Sequence, residues 1–233
     1  MLPTSGFGKF IEAFLPPWVM MVNDHGRRFV PECAAYTIVG YLIDEQPNHH
    51  AWCIFDEPTL VEASNDSSYL DPYNAGITSP IWEEETLRKE VASGRIRTGA
   101  TIRELAENCG IDHASLEEQV ARYNADCDAG RDIGFEKETP KMFPVREGPF
   151  YAVEVKPAII GVTGAGLDID RQCRVLDQAG KAIPGLYAAG ETAGVTQGKR
   201  YAGGGFSIGP AVILGREAGR QAAREARAEE QGQ

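Results

Sequence analysis

Between Gly185 and Gly219 the chain reads GLYAAGETAGVTQGKRYAGGGFSIGPAVILGREAG, a short apolar run, a glycine-dense loop and a helix start in immediate succession. This order presents backbone N–H groups to a ligand with no side chain in the way. Gly185 to Gly190 is apolar, closes on glycine and is followed by Glu191, which predicts an inner parallel strand whose C-terminal end opens onto a ligand crevice. Gly203, Gly204 and Gly205 remove every Cβ from the approach. Ser207 and Pro210 stand where an N-cap and a first-turn proline start a helix through Ala211 to Leu214, so the positive end of the helix dipole faces the ligand. A triple glycine alone would suit an ordinary connection; strand, acid, glycines and helix start in series favour a cofactor loop.

Composition narrows the possibilities further. At 233 residues and 42% hydrophobic content, the chain is long enough for one or two domains with a core. A net charge of -11 and a pI near 4.9 disfavour contact with a phosphate backbone, so nucleic acid is not an expected partner. Five cysteines with no C-x-x-C pair indicate neither a disulfide framework nor a zinc site, and reduced, buried thiols are expected. Phe10 to Met21 is broken by Glu12, Pro16 and Pro17, too early for a membrane span, and it lacks the basic start and cleavage site of a signal peptide. A soluble, cytoplasmic protein is the expectation. Phe14, Trp18, Val19 and Met20 are expected to pack beneath a neighbouring domain. His49 and His50, in a polar stretch between Pro47 and Trp52 with no further ligand nearby, read as solvated, and no metal site is expected.

Local patterns place the elements. A strand and turn surround Asn23 to Gly26, and Trp52 to Phe55 is a second strand. Ser64 to Pro80, rich in Asn, Asp, Ser, Pro and Tyr, reads as a loop. Helices follow over Ile81 to Ser93, after Thr101 with Glu104 as its capping-box partner, and after Asp112. In the third, Leu116, Val120 and Tyr123 form an apolar stripe that reads as core, while Glu117, Glu118 and Arg122 face water. Asp126 to Gly148 is charged and punctuated by Gly130, Gly134, Pro140 and Pro144, as in a returning loop. A final helix from about Gly209 ends in a frayed Glu229 to Gln233.

Several segments resemble the fumarate reductase and 3-ketosteroid dehydrogenase family of FAD-dependent oxidoreductases. Met21-Val-Asn-Asp-His-Gly-Arg-Arg-Phe-Val-Pro-Glu32 is similar to that family's VNxxGxRFVNE, Phe150 to Ala158 to its PYYAVxxxPA, and Thr163 to Glu191 to its TxGGLxID, RVLD and IPGLYAAGE. The resemblance covers nearly the whole chain. It implies an α/β fold with an α+β cap: the C-terminal part of a Rossmann-like FAD-binding domain with an inserted cap domain. On this reading residues 1–16 are a remnant of the FAD-binding domain or a linker, 17–149 the cap, and 150–233 the C-terminal part of the FAD-binding domain. The family's G-x-G-x-x-G is absent; Gly203-x-Gly205 fails because Ile208 stands where the last glycine would be. The chain thus resembles the C-terminal half of a flavoenzyme, completed by a longer frame or by a separate chain supplying the N-terminal FAD-binding half.

The same resemblance implies roles for particular residues. Gly190, Glu191, Gly203, Gly204, Ser207 and Ile208 would line the FAD, with Glu191 on its ribityl chain. Fumarate reductases carry an Arg where this chain has Tyr36 and a His where it has Gly161, replacements that remove half of a dicarboxylate clamp. 3-Ketosteroid 1-dehydrogenases place a Tyr near the position of Tyr36 and end in Y-x-G-x-G-x-x-x-G-P-A, matched by Tyr201 to Ala211. By that match Tyr201 and the N–H of Gly205 would hold the ketone oxygen of a small-molecule substrate, and Tyr36 would take the neighbouring proton. The expected activity is dehydrogenation of a cyclic ketone such as a 3-oxosteroid. A shift of two residues would put Arg200 in the place of Tyr201 and favour a fumarate- or urocanate-type ene-reductase; a catalytically silent piece that completes another chain is the remaining alternative.

Overall fold

Ala51 to Phe55 is an unbroken apolar run, as suits a strand covered on both faces. The structure is a computed structural model that describes residues 2–3, 15–34, 36–64, 82–157, 164–194 and 205–231; of residues 2, 3, 36, 37 and 64 it describes the backbone alone. Two units divide the chain, Met1–Ile159 and Ile160–Gln233.

In the first unit, β3 (Ala51–Asp56) lies between β2 (Met20–Val22) and β5 (Phe150–Lys156), and β5 also pairs with β1 (Leu2–Pro3) and β4 (Arg97–Gly99). Every pairing is antiparallel, with Ile54 opposite both Met20 and Ala152, and Cys53 opposite both Met21 and Val153. Since side chains alternate across a strand, this register sorts the apolar run into two cores. Met21, Cys53, Phe55 and Val153 join one core with Val39 and Ile43 of α1 (Tyr36–Asp44), Leu60 of α2 (Glu57–Ser64) and Leu87 of α3 (Glu84–Ala92). Met20, Trp52, Ile54 and Ala152 join the other, beneath Leu105 of α4 (Ile102–Cys109) and Leu116, Val120 and Tyr123 of α5 (His113–Ala129). The sheet is therefore covered on both sides.

Trp18, Val19 and Met20 belong to these cores of the first unit, which corrects the expectation that they pack under a neighbouring domain. After Pro16 and Pro17 the chain enters β2 directly, and Trp18 meets Phe55 and Trp82 edge-on at centroid distances of 5.2 and 5.7 Å. Phe14 and the Ser64 to Pro80 loop, Ser64's backbone apart, lie outside the described residues. The helix starts follow the local chemistry. Thr101 Oγ1 accepts from Glu104 N–H at 3.1 Å, while Glu104 reaches back one residue further than in the usual box, to Ala100 N–H. Asp112 Oδ1 accepts from Ser115 N–H at 2.7 Å. Strand β5 sits inside the first unit's sheet, and the two units divide after Ile159.

In the second unit β6 (Arg174–Leu176) pairs antiparallel with β7 (Ala182–Tyr187), and α6 (Ile208–Gln231) follows. This corrects the reading of Gly185 to Gly190 as a buried parallel strand: β7 is a hairpin arm, and Leu186 is exposed. The cause is the turn at Asp177. Its carboxylate accepts from the N–H groups of Ala179 and Lys181 at 2.8 and 2.9 Å, and its carbonyl accepts from Gly180 N–H at 3.0 Å, which folds the apolar run back on its own neighbour in sequence. Among the described residues no helix is long and apolar enough to cross a membrane.

Candidate cofactor and substrate site

Two glycines with left-handed backbone bracket the start of α6. Gly190 (φ +71°) opens a single 3-10 turn, Gly190–Thr192, and is buried; a Cβ there would stand 3.2 Å from Cβ of Ala211 in the first turn of α6. The turn and the helix mouth thus approach at a distance that a larger residue would open. Gly205 (φ +83°) precedes the helix, accepts from Gly209 N–H at 2.7 Å through its carbonyl, and has open space where a side chain would project. Ser207 directly precedes the helix and is half-buried, whereas Glu191 and Ile208 are exposed. The turn that bears Gly190 is held by a second close approach: a Cβ on Gly166 would lie 2.3 Å from Thr192 carbonyl oxygen, and Leu167 N–H donates to that oxygen at 2.8 Å.

Chemically this is a glycine-lined rim at the electropositive end of a helix, where Gly209 N–H and Ala211 N–H donate to the carbonyl oxygens of Gly205 and Ser207 at 2.7 and 3.4 Å and Pro210 has no N–H. It fits the polar edge of a planar, electron-rich cofactor ring, and Gly190, Glu191, Gly205, Ser207 and Ile208 all stand at this one end of α6. Tyr201, Gly203 and Gly204 lie outside the described residues. Tyr36 is the first residue of α1 in the first unit, where only its backbone is described.

Beneath β2 lies a group of buried charges that the sequence reading missed. Arg28 donates through Nε to Glu32 Oε1 at 2.9 Å and through Nη2 to Glu32 Oε2 and Asp132 Oδ2 at 2.8 Å each. Lys137 Nζ lies 3.4 Å from Glu32 and donates to Val19 carbonyl oxygen at 2.8 Å and to the Tyr123 hydroxyl at 3.1 Å. The four side chains are at most 2% exposed, and the Arg28 guanidinium is flanked by the rings of Tyr123 and Phe135. Burial alone would raise the Glu32 carboxyl, but the charges of Lys137 and Arg28 and the Met21 N–H hold it below its ordinary value. Burial pushes the Lys137 amine down despite Glu32. Two cations against two anions balance, and the quartet ties the Asp126 to Gly148 return to β2. The Arg28 and Glu32 spacing was visible in sequence; their partners on the return loop were not.

His50 departs from the expectation as well. Far from solvated, its ring is half-buried between two carboxylates, with Nδ1 2.6 Å from Glu154 Oε1 and Nε2 2.7 Å from Asp24 Oδ1. Both contacts are hydrogen bonds only if both ring nitrogens carry protons. Burial disfavours that charge, yet the bonds to Asp24 and Glu154 outweigh it and raise the pKa. His49, by contrast, is exposed.

The family described as FAD binding domain matches residues 1–208. Among curated relatives, the NADH:acrylate oxidoreductase of Vibrio harveyi is 34% identical over 89% of this chain and 19% of its own length. The 4-oxocyclohex-2-ene-1-carboxylate 5-dehydrogenase of Sinomonas cyclohexanicum is 31% identical over 93% of this chain and 38% of its own. A solved 3-ketosteroid delta1-dehydrogenase from Sterolibacterium denitrificans, in complex with 1,4-androstadiene-3,17-dione, aligns with a TM-score of 0.66 at 27% identity, over 89% of this chain and 39% of that one. The chain therefore spans about a fifth to two fifths of the length of these relatives.

Proposed function

Because the chain belongs to the FAD binding domain family, we propose that it forms the cap and substrate-facing part of an FAD-dependent oxidoreductase that dehydrogenates a cyclic ketone, such as a 3-oxosteroid. Gly190, Glu191, Gly203, Gly204, Ser207 and Ile208 hold the cofactor against the mouth of α6, Glu191 on its ribityl chain. FAD bound there would supply a two-electron acceptor for the hydride that leaves the substrate. Tyr201 and the N–H of Gly205 donate hydrogen bonds to the ketone oxygen, so charge that develops there during removal of the adjacent proton is stabilised. Tyr36 takes that proton; a free phenol has a pKa of about 10, so the base needs a hydrogen-bonding partner to act near neutrality.

The observation that carries this reading is the series from Tyr201 to Ala211, which sets a phenol four residues before a glycine of open, left-handed backbone at a helix mouth. Tyr36 and Gly161, in place of a cation and an imidazole, argue against a dicarboxylate, and the Sinomonas relative is named for a ring ketone. A second reading, reduction of an enoate, draws support from Arg200 and from the acrylate-linked relative. The exposed apolar side chains of α6, Ile208, Val212 and Ile213, support a surface on which the N-terminal FAD-binding half packs, whether in a longer chain or a separate one. The test is a substrate panel on FAD-loaded protein with an artificial electron acceptor. Acceptor reduction by 3-oxosteroids or smaller cyclic ketones is the expected result. Turnover of acrylate or fumarate by reduced protein, with no ketone activity, would transfer the assignment to the enoate reading. A colourless protein that ignores added FAD would leave it the role of completing another chain.

A further inference from the structure

A hollow of about 300 Å³ opens on the first unit beside the buried quartet, and its lining includes Arg27, Arg28, Arg122, Asp126, Asp132 and Phe135. Most of its charges are already committed. Arg28 and Asp132 bind each other within the quartet, and Asp132 Oδ1 also accepts from the N–H groups of Gly134 and Phe135 at 3.1 and 3.2 Å. Arg27 pairs with Glu118 at 3.0 Å on an exposed rim. Arg122 and Asp126 remain. Both line the hollow from α5, one helical turn apart, Arg122 exposed and Asp126 half-buried, and among the described residues neither side chain forms an ion pair or hydrogen bond. Their order, cation before anion, is the weaker one for a pair at this spacing on a helix, and Asp126, in the last turn of α5, opposes the helix dipole.

From this geometry we infer a binding site for a small zwitterion, an α-amino acid with an uncharged side chain. Its carboxylate faces the Arg122 guanidinium, which matches a two-oxygen acceptor, and its ammonium faces Asp126. A simple anion would leave Asp126 unpaired in the hollow, and a simple cation would leave Arg122 so; a molecule that carries both charges satisfies the two together. The half-buried ring of Phe135, backed by Arg28 at 5.0 Å, offers an apolar wall for the side chain. The volume lies at the lower end for ligand pockets and suits a single amino acid rather than a peptide.

The test is a nitrogen-15 NMR titration of the whole chain with L-leucine, N-acetyl-L-leucine, L-leucinamide and inorganic phosphate. Leucine is expected to shift the amides around Arg122, Asp126, Gly134 and Phe135 saturably, with Kd on the order of 1 mM. The acetylated and amidated forms, each lacking one charge, are expected to bind at least ~10-fold more weakly, a difference of about 1.4 kcal/mol. Arg122→Gln should abolish leucine's advantage over leucinamide, and Asp126→Asn its advantage over N-acetyl-L-leucine; both are exposed or half-buried changes, checked for unaltered thermal unfolding. Equal binding of all three leucine compounds, stronger binding of phosphate, an advantage over leucinamide that survives Arg122→Gln or one over N-acetyl-L-leucine that survives Asp126→Asn, or no saturable shift at tens of millimolar would each overturn the inference.

Discussion

The two units of this chain bury their apolar side chains to different degrees. In the first, every residue of β3 is buried, and two cores close on opposite faces of one sheet. In the second, Ile208, Val212 and Ile213 are 72%, 65% and 69% exposed, and Leu167, Leu186 and Phe206 are also open to solvent. The first unit thus has the packing of a self-sufficient core, while the second combines a short hairpin with a long helix that keeps much of its apolar surface on offer. That contrast matches their proposed roles: the cap is held by its own interior, whereas the cofactor-facing piece gains stability from what it contacts.

The sharpest way to break the contrast is to strike the first unit's interior. Arg28→Met leaves Glu32 and Asp132 without their main partner and is expected to cost about 3–5 kcal/mol. All three tryptophans, Trp18, Trp52 and Trp82, lie in this unit, so urea unfolding followed by tryptophan fluorescence reads it separately. A loss below about 1 kcal/mol would mean the quartet does not fasten the return loop. On the cofactor-facing side, Tyr201→Phe is expected to lower ketone turnover by roughly 100-fold while FAD stays bound, as for loss of one donor to a developing oxyanion. Steady-state rates with bound flavin measured by absorbance decide it.

A smaller effect should follow pH. Because the folded pKa of His50 is raised, the stability it contributes is fully present below its ordinary value of about 6.5 and is lost as pH rises through the folded value. His50→Gln should flatten that decline in tryptophan-monitored unfolding; an unchanged profile would remove His50 as its source. The smallest change is predicted at Val212→Ala, within about 0.5 kcal/mol by hydrogen exchange of the α6 amides, because its side chain has little to lose. A cost of about 2–5 kcal/mol, as expected for Leu116→Ala in the first unit's core, would erase the distinction between the units.

What could be read from sequence divides along the same physical line. Local signals were legible: the apolar run of β3, the caps Thr101 and Asp112, the stripe Leu116, Val120 and Tyr123, and the helix start after Ser207. Contacts set by distant partners were not. Arg28 meets Asp132, and His50 meets Glu154, each across 104 positions, so neither the buried quartet nor the histidine clamp had a local signature. The apolar run before Gly190 suits a parallel or an antiparallel strand equally, and the Asp177 turn decided between them. In the site, the glycine density around Gly205 was legible, whereas the close approach of Gly190 to Ala211, 21 positions on, was not. The roles proposed for Tyr36 and Tyr201 rest on the family resemblance alone.

The central claim, that the glycine-lined mouth of α6 receives FAD, is tested most directly by titrating the purified chain with FAD and following flavin fluorescence, beside a Gly205→Asp variant of unchanged circular dichroism. The claim predicts saturable quenching that the variant loses, since a carboxylate projecting into the open space at Gly205 would occupy the rim and repel electron density at the cofactor's edge. Equal quenching by variant and parent, or none by the parent, would contradict it.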